Sequence, residues 1–163
     1  MSDQISYSIS PEYFTLFKFP QFGILEEIPP RLGAVLVGFL ASWWMGIPIS
    51  CVLATAGTFA PTPRLMLRRT LVAYLVVAII TIPVGLLGLL RGFITLRDEA
   101  SVRRLDWYLP ENLKDIRAFG WVGSMHNATY LGGAIGLLVS LIRQAFTIRR
   151  LPIETSAKET SSF

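Results

Sequence analysis

Charged side chains are missing from three long stretches of this chain: residues 32–63, 70–90 and 118–142 contain no Asp, Glu, Lys or Arg. Each stretch is long enough for a helix across a hydrocarbon core of ~30 Å, which requires ~20 residues. The stretches are continuously apolar rather than alternating, which favours helices over the strands of a membrane barrel. Together with a hydrophobic fraction of 52%, the absence of charge excludes a soluble domain and predicts an integral membrane protein.

Cysteine and histidine each occur once, as Cys51 and His126. A lone cysteine excludes an internal disulfide and a multi-cysteine metal site, so we interpret Cys51 as a small apolar filler. The formal net charge of +4 does not indicate nucleic acid as a partner, because the basic residues lie at span ends, where they anchor helices. Residues 1–10 lack the basic start and apolar core of a cleavable signal peptide.

The predicted fold is an all-α membrane protein that forms one domain. Pro48 and Pro83 each remove a backbone donor inside a span, so we expect kinks there. The alternation of Ile5, Tyr7 and Ile9 with serines predicts a possible short strand in the aromatic N-terminal segment. The predicted segments are a membrane-surface segment (1–30), a first transmembrane helix (31–60), a basic turn (61–69), a second transmembrane helix (70–95), an amphipathic interfacial link (96–117), a third transmembrane helix (118–147) and a disordered tail (148–163).

Small residues recur at every fourth position in the first and third spans. Positions four apart share a helix face, so each series forms a surface that a neighbouring helix can approach closely. Close approach matters because lipid is as apolar as the side chains and burial alone does not drive helices together. We therefore expect the first and third spans to pack against each other, or one series to form a homodimer. The two series are Ala34, Gly38, Ser42, Gly46, Ser50 and Ala54 in the first span, and Ala128, Gly132, Gly136 and Ser140 in the third.

His126 and Asn127 are polar residues near the start of the third span, where polar groups indicate either structural hydrogen bonding or a functional site. The simpler interpretation is hydrogen bonding across the bundle or to interfacial water. The candidate catalytic residues are His126, Glu12 and Tyr130, since Glu12 and His126 are assigned to the same membrane face. No cofactor or metal is predicted. A haem held through His126 is the alternative, whereas zinc would need further ligands that the spans lack.

The middle of each span contains no ionisable residue, which disfavours a proton-coupled transporter. No serine or cysteine lies in a recognisable nucleophile motif, which disfavours an enzyme. The function predicted is therefore a non-enzymatic interaction, accessory or scaffold component. Its expected partners are the lipid bilayer and either another protein or a second copy of the chain, with no nucleic acid. Two alternatives stay open: a small transporter or channel subunit, and a membrane-embedded enzyme or cofactor binder that uses His126.

The distribution of arginines predicts the orientation. Cations crowd at the helix ends around the basic turn and after the third span, and cytoplasmic loops carry such an excess. The turn over 61–69 and the C-terminus are therefore expected to be cytoplasmic. The residues behind this expectation are Arg64, Arg68, Arg69, Arg143, Arg149, Arg150 and Lys158.

Three motifs carry a resemblance: Ile-Ser-Pro-Glu-Tyr-Phe-Thr at 9–15, Ala-Ser-Trp-Trp-Met-Gly at 41–46 and His-Asn-Ala-Thr-Tyr-Leu-Gly at 126–132. In these motifs the chain resembles an uncharacterised group of small bacterial inner-membrane proteins. The resemblance runs from about Asp3 to the end of the third span. It implies a bacterial origin and residence in the inner membrane, and it implies no activity.

Overall fold

Three long apolar helices dominate the computed structural model, which describes the backbone of residues 2–160 and the side chains of residues 3–147. The elements in chain order are α1 (Ser2–Ile9), a π-helical turn (Tyr13–Lys18), α2 (Phe19–Phe22), α3 (Pro30–Gly57), α4 (Pro63–Thr95), α5 (Glu99–Arg103) and α6 (Ile116–Thr160). The segments Pro30–Gly57, Pro63–Thr95 and Ile116–Thr147 are long and apolar enough to cross a membrane. The predicted all-α class with three candidate spans is confirmed, and Pro48 and Pro83 lie inside α3 and α4.

The prediction of a short strand over Ile5–Ile9 is wrong, because these residues belong to α1 and the described backbone contains no strand. A short alternating segment has no stable extended state without a neighbouring strand to pair with. Ser6 in α1 and Ser10 directly after it are both buried. The Ser6 hydroxyl donates to the Met125 sulfur at 3.5 Å, which ties α1 to α6.

The antiparallel pair α4 and α6 forms the most extensive helix contact. Val77 lies against Gly136 and Thr81 against Gly132, so residue numbers rise along one helix as they fall along the other. One turn further, the Ser140 hydroxyl donates to the Ala73 carbonyl at 3.1 Å. Small residues let the two backbones approach closely enough for these contacts.

The expectation that the first and third series face each other is wrong. The third series, Ala128, Gly132, Gly136 and Ser140, lies against α4 instead. In the first series, Ala34 is buried among N-terminal aromatics and Gly38 lies against Asp3. Gly46 has no atom within 4 Å of the position that a Cβ would take, and Ser42 is exposed. The small-residue pattern identifies a face of α6 that packs, but not the helix on which it packs.

The connections differ from the predicted boundaries by a few residues. The Thr62 hydroxyl accepts a hydrogen bond from the Leu65 N–H at 3.3 Å and caps the start of α4. The helix therefore begins inside the expected basic turn. In the expected interfacial link, α5 begins after Asp98, whose carboxylate accepts from the Ser101 N–H at 2.7 Å. After α5, residues 104–115 form no helix and are irregular up to the start of α6. The backbone of α6 continues to Thr160, into the expected tail, whose last three residues lie outside the described chain.

An aromatic cap covers the end of the bundle where α3 and α6 begin; we use this name for the cluster in residues 7–22. Phe14 is fully buried at its centre, with ring centroids at 5.7 Å from Tyr7 and 6.4 Å from Phe19. Gly33 allows α3 to pass directly under the cap, because a Cβ there would lie 2.6 Å from the Phe19 ring. The cap therefore folds back onto the starts of α3 and α6.

Candidate functional site

A cavity of about 340 Å³ lies between the aromatic cap, the irregular link and α6; we call it the chamber. Its wall on α6 follows one helix face, because Phe119, Gly123, His126 and Tyr130 are spaced by three or four residues. These positions span about 16 Å along the helix axis, so the chamber runs along α6 from near its start. The lining residues are Tyr13, Phe17, Lys18, Asp106, Trp107, Tyr108, Phe119, Gly123, His126, Asn127 and Tyr130.

The π-helical turn places Tyr13 directly on His126. The two rings stack with centroids 5.0 Å apart and planes inclined by 21°, and Phe14 approaches the same imidazole edge-on at 6.2 Å. Short π-helical turns of this kind are frequent at functional sites. Burial raises the pKa of the Tyr13 hydroxyl above its usual range, so this group stays protonated and can donate a hydrogen bond.

His126 forms a pair with Asp3 from α1. The distance from His126 Nε2 to Asp3 Oδ1 is 3.6 Å, which is longer than a hydrogen bond. Nε2 is buried and has no hydrogen-bond partner within the described part of the chain. A second cavity of about 90 Å³ adjoins this pair and is lined by Asp3, His126 and residues of α3 and α6. The imidazole therefore lines both the chamber and this smaller cavity.

Gly38 of α3 makes room for the Asp3 carboxylate. A Cβ at Gly38 would overlap Asp3 Oδ2, so any larger residue would displace the carboxylate. Burial raises the pKa of the Asp3 carboxyl above its usual 3.8. One member of the first small-residue series thus positions a charged group at the site rather than a neighbouring transmembrane helix.

Lys18 and Asp106 place opposite charges on the chamber wall. The Lys18 ammonium donates to the Gln21 side-chain oxygen at 2.9 Å and lies 4.4 Å from the Phe17 ring centroid. Burial lowers the pKa of Lys18. Asp106 has a φ of 52°, a left-handed conformation that is uncommon outside glycine. The link is therefore bent sharply where it presents this carboxylate and Trp107 to the chamber.

The chamber includes two of the three candidate catalytic residues, His126 and Tyr130. Glu12 lies elsewhere: its carboxylate accepts backbone N–H bonds from Lys114 at 3.1 Å and Asp115 at 3.0 Å. It holds the link just before α6 begins, a typical use of a carboxylate near a helix N-terminus. The sequence did not identify Asp3, Tyr13 and Lys18 as residues of this site. The signal for them in the sequence is that they lie in or near the aromatic N-terminal segment.

The pH dependence of α1 attachment is expected to disappear on Asp3→Asn substitution. Because the pKa of Asp3 is raised in the folded state, attachment is most favourable below the usual value of 3.8 and weakens as pH rises through the raised pKa. Proteolytic release of α1 from the wild type across the acidic range measures this weakening. The Asn variant should give a flat profile, and an unchanged slope in that variant would contradict the assignment to Asp3.

Residues 3–147 contain no group of three or more His, Cys, Asp or Glu side chains that could hold a metal ion. No known protein family, curated protein or solved structure matches this chain.

Proposed function

We propose that this chain is a non-enzymatic accessory component of the bacterial inner membrane that binds a lipid or lipid-like amphiphile in the chamber. The observation that supports this proposal is the shape and lining of the cavity of about 340 Å³. It begins under the aromatic cap and continues along one face of α6. A molecule with a polar head and an apolar body matches such a cavity.

The lining divides into apolar surfaces and a few polar groups, as in most small-molecule sites. Phe17, Trp107 and Phe119 supply aromatic surface, while Lys18 and Asn127 supply hydrogen-bond donors. The Lys18 ammonium is partly desolvated, which strengthens its attraction for an anionic or strongly accepting head group. These contacts need no chemical step, so binding alone accounts for the site.

The proposed orientation places the chamber on the side opposite the cytoplasm. Its support is the group of arginines around the start of α4 and the end of the third span, since cytoplasmic helix ends carry an excess of Lys and Arg. The bacterial inner membrane is proposed from the resemblance in the three sequence motifs. Reporter fusions at the C-terminus would test the orientation.

The test is mass spectrometry of small molecules that remain bound after purification from native membranes. Lys18→Met removes the chamber cation, whereas Lys114→Met removes an exposed lysine outside the chamber and is the matched control. A charge-assisted hydrogen bond contributes about 1.5–3 kcal/mol, so we expect at least a roughly tenfold loss of bound amphiphile in Lys18→Met alone.

Three outcomes would contradict the proposal. These are no retained amphiphile in the wild type, equal retention in both lysine variants, or a visible absorption band that His126→Gln abolishes. The last outcome would assign the site to a coloured cofactor held by His126, which is the haem alternative.

A second function, proton transfer to or from the bound molecule, is favoured by the pair of His126 and Asp3. A carboxylate beside an imidazole orients it and stabilises its protonated form during proton transfer. Here the distance of 3.6 Å places Asp3 behind an imidazole that lines the chamber. If the wild type, but not His126→Gln, exchanges a carbon-bound hydrogen of its bound amphiphile for deuterium from D₂O, this second function replaces the first.

A further inference from the structure

The end of the bundle away from the chamber contains buried polar atoms without partners. The Arg69 Nε and Nη1 atoms in α4 are buried and form no hydrogen bond within the described residues. The same is true of both amide atoms of Gln144 in α6, whose residue is only 4% exposed. Such groups in native proteins nearly always have a partner, so a ligand that supplies one is expected here.

The helix register places these two residues at the same level. Val77 faces Gly136, and one turn later Ala73 faces Ser140 through a hydrogen bond of 3.1 Å. One further turn along the antiparallel pair sets Arg69 opposite Gln144. Both residues therefore lie at the same level of the contact between α4 and α6.

These unpaired atoms include more donors than acceptors. Arg69 Nε and Nη1 and the Gln144 amide nitrogen donate, the Gln144 oxygen accepts, and the neighbouring Thr70 hydroxyl, also buried without a partner in the described residues, can do either. Even if the amide oxygen turned towards the guanidinium, buried donors would remain, and a charged donor without a partner is costly. No described residue supplies these donors with a negatively charged acceptor.

We propose that the phosphate of an anionic lipid binds between Arg69 and Gln144. The neighbouring surface favours a lipid over free phosphate. An apolar groove of about 540 Å³ on α6 is lined by Val139, Ile142, Arg143, Phe146 and Thr147, the residues on either side of Gln144 in the sequence. An acyl chain fits the groove while its phosphate accepts bonds from Arg69 and Gln144, and basic pockets between membrane helices bind acidic lipid head groups in this way. The site is independent of the chamber.

The experiment measures thermal unfolding of the delipidated full chain in detergent with phosphatidylglycerol, with phosphatidylcholine or with inorganic phosphate. We expect phosphatidylglycerol alone to raise the wild-type Tm, by roughly 5 °C at saturating lipid. Arg69→Gln should lose this increase. Arg68→Gln is the matched control, since Arg68 is exposed and adjacent, and it should keep the increase.

Four results would overturn the proposal. They are an unchanged response in Arg69→Gln, an equal loss in Arg68→Gln, an equal response to phosphatidylcholine, and a full response to inorganic phosphate without lipid. If Arg69→Gln does not fold, Gln144→Leu takes its place, because leucine keeps the volume and removes the amide donor. That variant should respond less to phosphatidylglycerol than the wild type, and an undiminished response would count against the site.

Discussion

Replacement of Gly88 by Leu is expected to separate α4 from α6 and to abolish the folded bundle. A Cβ at this position would overlap the Ala128 Cβ and lie 2.7 Å from the Ser124 carbonyl oxygen. Neither neighbour is the end of a flexible side chain, so the backbones must move apart. Overpacking of well-packed sites costs about 1–3 kcal/mol and more where backbone must shift, so we expect a loss above about 3 kcal/mol.

The matched control is Gly46→Leu in α3, where nothing lies within 4 Å of the position that a Cβ would occupy. Unfolding of both variants by a denaturing detergent in mixed micelles gives the comparison. Gly46→Leu should unfold as the wild type does. If Gly88→Leu were equally stable, the close contact of α4 and α6 would not hold the bundle together. If Gly46→Leu reduced the fraction of dimer, the first small-residue series would serve self-association.

The three spans were predictable because charge is excluded from lipid, and a charge-free stretch of ~20 residues or more is typical of a helix that crosses a bilayer. The pairing of those spans was not predictable. Small residues at four-residue spacing occur in α3 and α6, and α4 contributes Gly85, Gly88 and Gly92 near its end. Such a series shows that a face can be approached closely. Which helix approaches it depends on connections and on the side chains of the partner.

The candidate site was predictable in part for a similar reason. His126 and Tyr130 were identified because polar groups at the level of a membrane helix are costly and therefore informative. Asp3, Tyr13 and Lys18 come to the site only because the cap folds back over α6, which no local pattern specifies. The period-two spacing around Tyr7 even indicated the wrong local structure. The Glu12 carboxylate accepts hydrogen bonds from the backbone of the link instead of lining the chamber.

Replacement of Phe14 by Ala is expected to release the aromatic cap from the bundle. Phe14 is fully buried, and its ring contacts Tyr13 at 5.7 Å and His126 at 6.2 Å between centroids. Truncation of a buried phenylalanine to alanine costs about 3–5 kcal/mol through lost contacts and the cavity that remains. Since the cap is a short segment held by such contacts, this loss should detach it while α4 and α6 remain paired.

Limited proteolysis between residues 1 and 30 measures the release, and Leu25→Ala is the control because Leu25 is 65% exposed. An exposed truncation in the same segment should change stability by less than about 0.5 kcal/mol and leave the cleavage rate unchanged. Detachment of the cap also removes Tyr13, Phe17 and Lys18 from the chamber wall. Phe14→Ala should therefore lose any bound amphiphile together with protease protection. Loss of protection with full retention of the amphiphile would mean that α6 and the link bind it without the cap.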